Sequence, residues 1–284
     1  SIPSKEKNSQ SLIKRIFLGN TQTNTEIAIK SYQIHQEELE YIGYDDRLPK
    51  TIKLTLLDNS PKKYIKKKTF YFGTDKYGRD LLSRLLIGTR ISFFIGFIAV
   101  FISLFIGIGI GAVAGYYGGK IDAFIMWLIN ITWSIPTLLL VIAITLALGK
   151  GYWQVFIAVG LTMWVEVARV VRGQVLTTKQ QQYVEAAYVL GFSSIRIIFR
   201  HILPNIMAPV IVISAANFAA SILIESGLSF LGLGAQPPMP SWGSMIKDHY
   251  QYIILDKAYL AIVPGIAIMT LVMAFMLLGN ALRD

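Results

Sequence analysis

The sequence predicts an all-α integral membrane protein that carries a small extracytoplasmic α/β segment ahead of its spans, and three observations lead there. Of 284 residues, 54% are hydrophobic and only 15% charged, with mean hydropathy +0.51, whereas about a quarter of a soluble domain is charged. The charge is crowded toward one end: residues 1–90 hold 17 of the 27 Lys and Arg and 10 of the 17 Asp and Glu. Beyond residue 90 come five apolar windows, near 91–114, 122–148, 152–171, 205–225 and 258–281. Each meets the roughly 20 residues that a helix needs to cross the hydrocarbon core. The chain thus divides into a polar segment over 1–72, an entry segment over 73–90 and a membrane domain over 91–284.

Within the polar segment, Ile52, Leu54 and Leu56 alternate with Lys53 and Thr55, and Asn59, Ser60 and Pro61 supply a turn before residues 64–72. That pattern predicts a β-hairpin, with an irregular loop and chance alternation as the other reading. In the entry segment Tyr77, Leu81 and Leu85 recur every four residues, Leu82 and Leu86 widen the stripe, and Asp80, Arg84 and Thr89 face elsewhere. An amphipathic helix at the membrane surface is expected over 73–90. Asp75 is placed to cap its start, and Gly78 to permit close backbone approach.

In the first span Gly107, Gly111 and Gly115 stand four apart, giving one smooth helix face for close packing, within the chain or against another subunit. Pro136 interrupts the second span after Thr132, Trp133 and Ser134. A kink is expected, with the hydroxyls serving the backbone groups that the ring leaves unpaired. Two acids, Glu166 and Glu225, fall within or at the edges of the spans, and an intramembrane acid is a functional candidate by default. Structural roles are favoured for both, because Glu166 precedes Arg169 by three residues at ion-pair spacing and Glu225 stands at the outer end of its span. Gly232, Gly234, Pro237, Pro238, Pro240 and Gly243 then break any helix, so an outer loop, partly re-entrant, is expected over 226–257.

Orientation follows from Arg169, Arg172, Lys179, Arg196 and Arg200, which cluster around the loop between the third and fourth spans. Positive charge in a short loop marks the cytoplasmic side. Counting outward puts the C-terminus inside and residues 1–90 outside. A polar segment outside needs something to carry it across, yet residues 1–30 contain no signal peptide and the chain begins with Ser. A further span ahead of residue 1, making six, is the expectation; a five-span protein is the competing one. The net charge of +10 is scattered, with no zinc spacing and no aromatic single-strand reader, so nucleic acid is not an expected partner. There are no cysteines for thiol chemistry. His35, His201 and His249 lack metal-ligand spacing and read as ordinary loop histidines.

The loop over 172–204 carries the most specific pattern. Glu185 belongs in a helical first turn, where a carboxylate is favoured. Ala186 and Ala187 add helix propensity with little bulk, so a partner can pack onto the backbone. Gly191 permits a left-handed cap, and Pro204 suits the start of the next span. Glu-Ala-Ala, three residues, Gly, and then Leu203-Pro204 resembles the coupling loop of bacterial ATP-binding-cassette (ABC) importer permeases. Gly73, Thr74, Asp75, Gly78, Arg79 and Asp80 are similar to the signature of the C-type subunit of dipeptide, oligopeptide and nickel importers, and residues 225–243 resemble that group again.

The resemblance implies a type I importer permease fold in a bacterial inner membrane and a transport subunit rather than an enzyme. Glu185, Ala186, Ala187 and Gly191 would meet an ATPase. It further implies a homologous second permease subunit, two ATP-binding subunits holding ATP and Mg, and an extracytoplasmic substrate-binding protein. The chain's nearest imitation of a phosphate-cradling loop, residues 115–120, is one residue short and continues with Ile121; no cofactor is expected in this chain. Di- or oligopeptides are the expected cargo, with nickel chelates, opines or oligosaccharides as alternatives. A secondary transporter relaying protons or ions through Glu166 or Glu225 is the rival class.

Overall fold

A computed structural model describes residues 2–3, 24–25, 27, 29–35, 38–43, 48–53, 69–149, 151–234 and 239–282. The chain forms two compact units, residues 1–83 and 84–284.

In the first unit, β1 (Ile2–Pro3) pairs antiparallel with β2 (Asn24–Thr25). A second sheet is an antiparallel meander of β3 (Ile29–His35), β4 (Glu38–Gly43) and β5 (Lys50–Lys53). Strand β4 alternates: Leu39, Tyr41 and Gly43 are buried while the residues between them are more open, the period-two pattern of a half-buried strand. Tyr32 lies opposite Tyr41 and Ile34 opposite Leu39, cross-strand pairs that fix the register. The hairpin expected over 51–72 takes a different form, because the strand at its start pairs backward with β4. Residues 54–68 of that expectation lie outside the described residues.

The segment 73–80 is a knot of turns, not the first part of a helix. Gly73 and Gly78 hold φ of +70° and +72°, values a helix excludes. Asp75, buried, accepts from the backbone N–H groups of Tyr77 and Arg79, each at 2.9 Å, and from Arg79 Nε at 2.7 Å. Asp80 serves the helix start instead, accepting from Leu82 N at 3.2 Å and from Ser83 Oγ. The helix α1 then runs from Leu81 to Tyr117 without a break, so the surface helix expected over 73–90 and the first span are one element. Nothing between Leu81 and Tyr117 removes a backbone donor, since Gly88 and Gly96 weaken a helix without ending it.

In the second unit the pair α2 (Gly119–Ser134) and α3 (Thr137–Leu148) bends by 92° at Pro136, a break rather than a mild kink. Thr132 and Ser134 donate back to the carbonyls of Leu128 and Asn130, at 2.9 and 2.8 Å. The hydroxyls therefore serve the turn before the break. The remaining long helices are α4 (Tyr152–Lys179), α7 (Met207–Phe230) and α9 (Tyr259–Ala281), with α5 (Gln182–Val189) and α6 (Ser194–Ile197) between α4 and α7. Among the described residues, four helical runs are long and apolar enough to cross a membrane, or five spans when the bent pair counts as one. Buried hydroxyls of Ser103, Thr162 and Ser221 each donate to a carbonyl three residues back, which satisfies them where no water competes.

The glycine face of α1 packs within the chain, on α4. A Cβ at Gly107 would sit 2.5 Å from Val167 Cβ, one at Gly111 2.5 Å from the Ala168 carbonyl, and one at Gly115 2.8 Å from Val175 Cβ. From the other side, a Cβ at Gly160 would lie 2.7 Å from Ile102 Cβ. The expected outer loop is largely folded: α7 continues to Phe230, and α8 (Trp242–His249) follows with a Ser241/Ser244 capping box. Trp242 lies against Gly88 and donates from Nε1 to the Leu85 carbonyl at 2.9 Å. Gly243 abuts the Ser226 backbone, where a Cβ would be 2.4 Å from the carbonyl oxygen.

Candidate functional site

The predicted loop is a helical hairpin whose two faces differ. Helix α5 begins after Gln181 and ends in a Schellman motif, with Phe192 N donating to the Ala187 carbonyl at 3.2 Å and Gly191 N to the Tyr188 carbonyl at 3.0 Å. Gly191 holds φ +77°, the left-handed conformation that a residue lacking Cβ adopts most readily. The chain reverses there and enters α6, followed by a π-turn (Ile198–Ile202) and a 3₁₀ turn (Leu203–Ile206) that lead into α7. Pro204 thus lies inside a continuous helical run, not at a fresh helix start. Having no N–H, it leaves an i→i−4 bond unmade, and the wide turn precedes it. Asn205 Nδ2 donates to the His201 carbonyl at 2.6 Å.

The inward face of the hairpin is part of the protein core. Val184, Ala187, Ile197, Ile198, Ile202 and Ile206 are buried in one cluster with Ala112 and Tyr116 of α1, Val167, Val171 and Val175 of α4, and Val210 of α7. At about 25 cal/mol per Å² of buried apolar surface, a cluster of this kind resists sliding of the hairpin against the three long helices. Two polar ties reinforce its root. Arg172 makes a bidentate contact with Asp122 at the start of α2, its second nitrogen at 2.6 Å, and Lys179 Nζ donates to the Tyr116 carbonyl at the end of α1 at 2.6 Å. A cation is favoured at a helix C-terminus. The basic residues that set the expected topology thus also fasten helix ends.

The outward face is apolar and open. Tyr188 and Leu190 are each 72% exposed, Val189 84%, Ile195 68% and Phe199 67%. Glu185, Ala186 and Gly191 lie on this side as well. Ala187 does not: at 3% exposure it faces the core, so of the two alanines expected to meet a partner only Ala186 is open to one. The helix period causes the split, because Val184 and Ala187 are three apart and share the inner face. Sequence reasoning missed the apolar residues from 188 to 199; their signal is an apolar run, Tyr188-Val189-Leu190, directly after Glu-Ala-Ala. Next to them, the Arg196 guanidinium lies 4.3 Å from the centre of the Phe192 ring, and the His201 ring stacks on Phe192 with centroids 5.9 Å apart.

The two intramembrane acids differ from each other. Glu225 is fully buried and accepts from Ser229 Oγ at 2.6 Å, with Ser241 donating on to Ser229 at 3.1 Å; this ties α7 to the cap of α8, as a structural role requires. The Glu166–Arg169 pair does not form. Arg169 instead donates to Asn130 Oδ1 at 2.9 Å and lies 3.7 Å over the Trp133 ring. His249 is a buried residue bonded through Nδ1 to the Met245 carbonyl. No metal-holding group of residues occurs among the described residues.

Residues 107–284, from the last third of α1 through the other membrane helices and the hairpin, match the family of binding-protein-dependent transport system inner membrane components. The chain belongs to this family. As such it is a multi-pass membrane permease component, not an enzyme. It is 41% identical over 214 residues to the dipeptide transport system permease protein DppC of Alkalihalophilus pseudofirmus, covering 75% of this chain and 70% of that protein. It is 39% identical over 217 residues to the oligopeptide permease protein OppC of Bacillus subtilis, covering 76% and 71%. It is also 41% identical over 214 residues to the glutathione permease protein GsiD of Pectobacterium atrosepticum, covering 75% and 71%. The permease's fold is similar to the MetNI methionine ABC transporter in an inward-facing form, with TM-score 0.60 and 17% identity over 72% of this chain and 96% of that one. An amino acid ABC transporter gives TM-score 0.54, 16% identity, and 71% and 94% coverage. These neighbours establish the type I importer permease fold.

Proposed function

We propose that this permease is one membrane half of an ATP-driven importer of di- or oligopeptides. It docks on an ATP-binding subunit through the outward face of α5 and α6: Glu185, Ala186, Tyr188, Val189, Leu190, Gly191, Ile195 and Phe199. A homologous second permease subunit completes the path, two ATPases hold ATP and Mg, and a substrate-binding protein delivers cargo from outside. The hairpin and the C-terminus face the cytoplasm of a bacterium. The names of the relatives support peptide as the cargo class.

The observation that carries this reading is the two-faced hairpin. Its outer face exposes large apolar side chains, which on a water-facing loop mark a protein interaction site. Its inner face shares a core with the ends of α1, α4 and α7. A displacement imposed on the outer face is therefore passed to three membrane helices as a rigid movement, the requirement for coupling closure of the ATPases to alternating access.

The test is ATP-driven uptake in vesicles containing all subunits and the binding protein. Leu190→Asp and Ile195→Asp leave the inner face intact, and each is expected to lower uptake at least tenfold while the permease still inserts. Uptake at the wild-type rate in both variants would refute the docking assignment, and uptake driven by a proton gradient without ATP would favour the secondary-transporter class.

A further inference from the structure

Glu166 sits at the middle of α4, fourteen residues after Tyr152 and thirteen before Lys179, or about 20 Å from either end at 1.5 Å per residue. The last turns of α4 carry Arg172 and Lys179, which belong to the loop expected on the cytoplasmic side, so Glu166 lies within the span in the half nearer that side. Half-buried, it makes no hydrogen bond or ion pair with any described residue, and the nearest cation on its own helix, Arg169, is held by Asn130 and Trp133. An ionisable group at that depth is costly unless it faces a partner or a water-filled path.

Glu166 opens into a cavity of about 200 Å³ that the break between α2 and α3 also lines. Thr132, Trp133, Ile135 and Thr137 line it from the break, and Thr162 and Ala220 from α4 and α7. Residues 133–137 are exposed on the chain. Non-helical backbone at membrane depth is tolerated only against protein or along a water-filled path, never against lipid. The last carbonyls of α2 end at this break and carry partial negative charge. A carboxylate and a helix C-terminus together attract a cation, opposed in part by the Arg169 guanidinium stacked on Trp133 of the same cavity, and transporters commonly form substrate sites within the membrane at such interrupted helices.

We propose that this cavity is a contact within the membrane helices for a cationic group of the cargo, an ammonium or guanidinium taken by Glu166 and the carbonyl end of α2. The inference rests on the importer reading above and adds a specificity element to the translocation path. With peptide cargo, it favours passage of basic over acidic side chains after release from the binding protein.

The experiment uses the complete transporter with its binding protein in vesicles, and two peptides matched in size, one with a lysine and one with a glutamate side chain. ATP dependence of wild-type uptake tests the importer reading separately. In Glu166→Gln the lysine-to-glutamate uptake ratio is expected to fall about tenfold or more, the size of a lost charge-assisted contact, while Glu166→Asp retains most of it. The binding protein is the same throughout, so its own preference cancels. An unchanged ratio, or an equal loss for both peptides, would overturn the proposal. Ala220→Leu narrows the same cavity without altering charge and is expected to slow both peptides with the ratio preserved. Unaltered uptake of both in that variant would also overturn it.

Discussion

Gly191 closes α5 at φ +77° with open space around its missing Cβ, so its role is conformational rather than steric. A Cβ residue in the left-handed region costs about 1 kcal/mol, whereas Asn tolerates it better. Gly191→Ala should therefore reduce uptake per ATP hydrolysed several-fold, and Gly191→Asn should recover most of it, as read by parallel uptake and phosphate-release assays. Equal defects in the two variants would point to contact rather than backbone conformation. The same scale shows what the motif conveyed and what it did not. Glu185, Ala186 and Gly191 lie on the open side as the pattern implied, but Ala187 points into the core with Val184. The motif names residue types; only the helix phase, fixed by which side meets α4, decides which of two adjacent alanines a partner can touch.

At the scale of elements, the spans were legible because apolar windows of about 20 residues have few alternatives in lipid. The Gly107, Gly111 and Gly115 stripe was legible as a packing face, while its partner α4 was not, since the facing residues there, Gly160, Val167, Val171 and Val175, do not stand out in an apolar span. The contact is tight enough to test. Gly111→Leu must push the Ala168 carbonyl away, and overpacking of this kind costs about 1–3 kcal/mol. The purified permease should melt several degrees lower, while Gly109→Leu, where a Cβ meets nothing, should leave the midpoint in place. Boundaries were harder. The surface helix and first span fused because no residue between Leu81 and Tyr117 breaks the backbone ladder, whereas Pro136 became a 92° break. Strand β4 escaped notice because only Leu39 and Tyr41 alternate among acids, too short a run to count.

For the whole molecule, function depends on one core serving two purposes. The cluster that joins α1, α4 and α7 also holds the inner face of α5 and α6, so on the proposed docking the element that would meet the ATPase and these three membrane helices move as one body. A cation-selecting point at Glu166 lies on α4, the same helix whose end is fastened to Asp122 and Tyr116. On that reading, motion at the hairpin would be carried along α4 to Glu166. The two-faced hairpin can be read out directly, because the chain has no cysteine of its own. A single cysteine at Val189, 84% exposed, carrying a photoreactive benzophenone, should capture the ATP-binding subunit covalently in the assembled transporter, and one at Ala187, 3% exposed, should not. Capture from Val189 alone is the predicted result; no capture from Val189, or equal capture from both, would contradict the docking face.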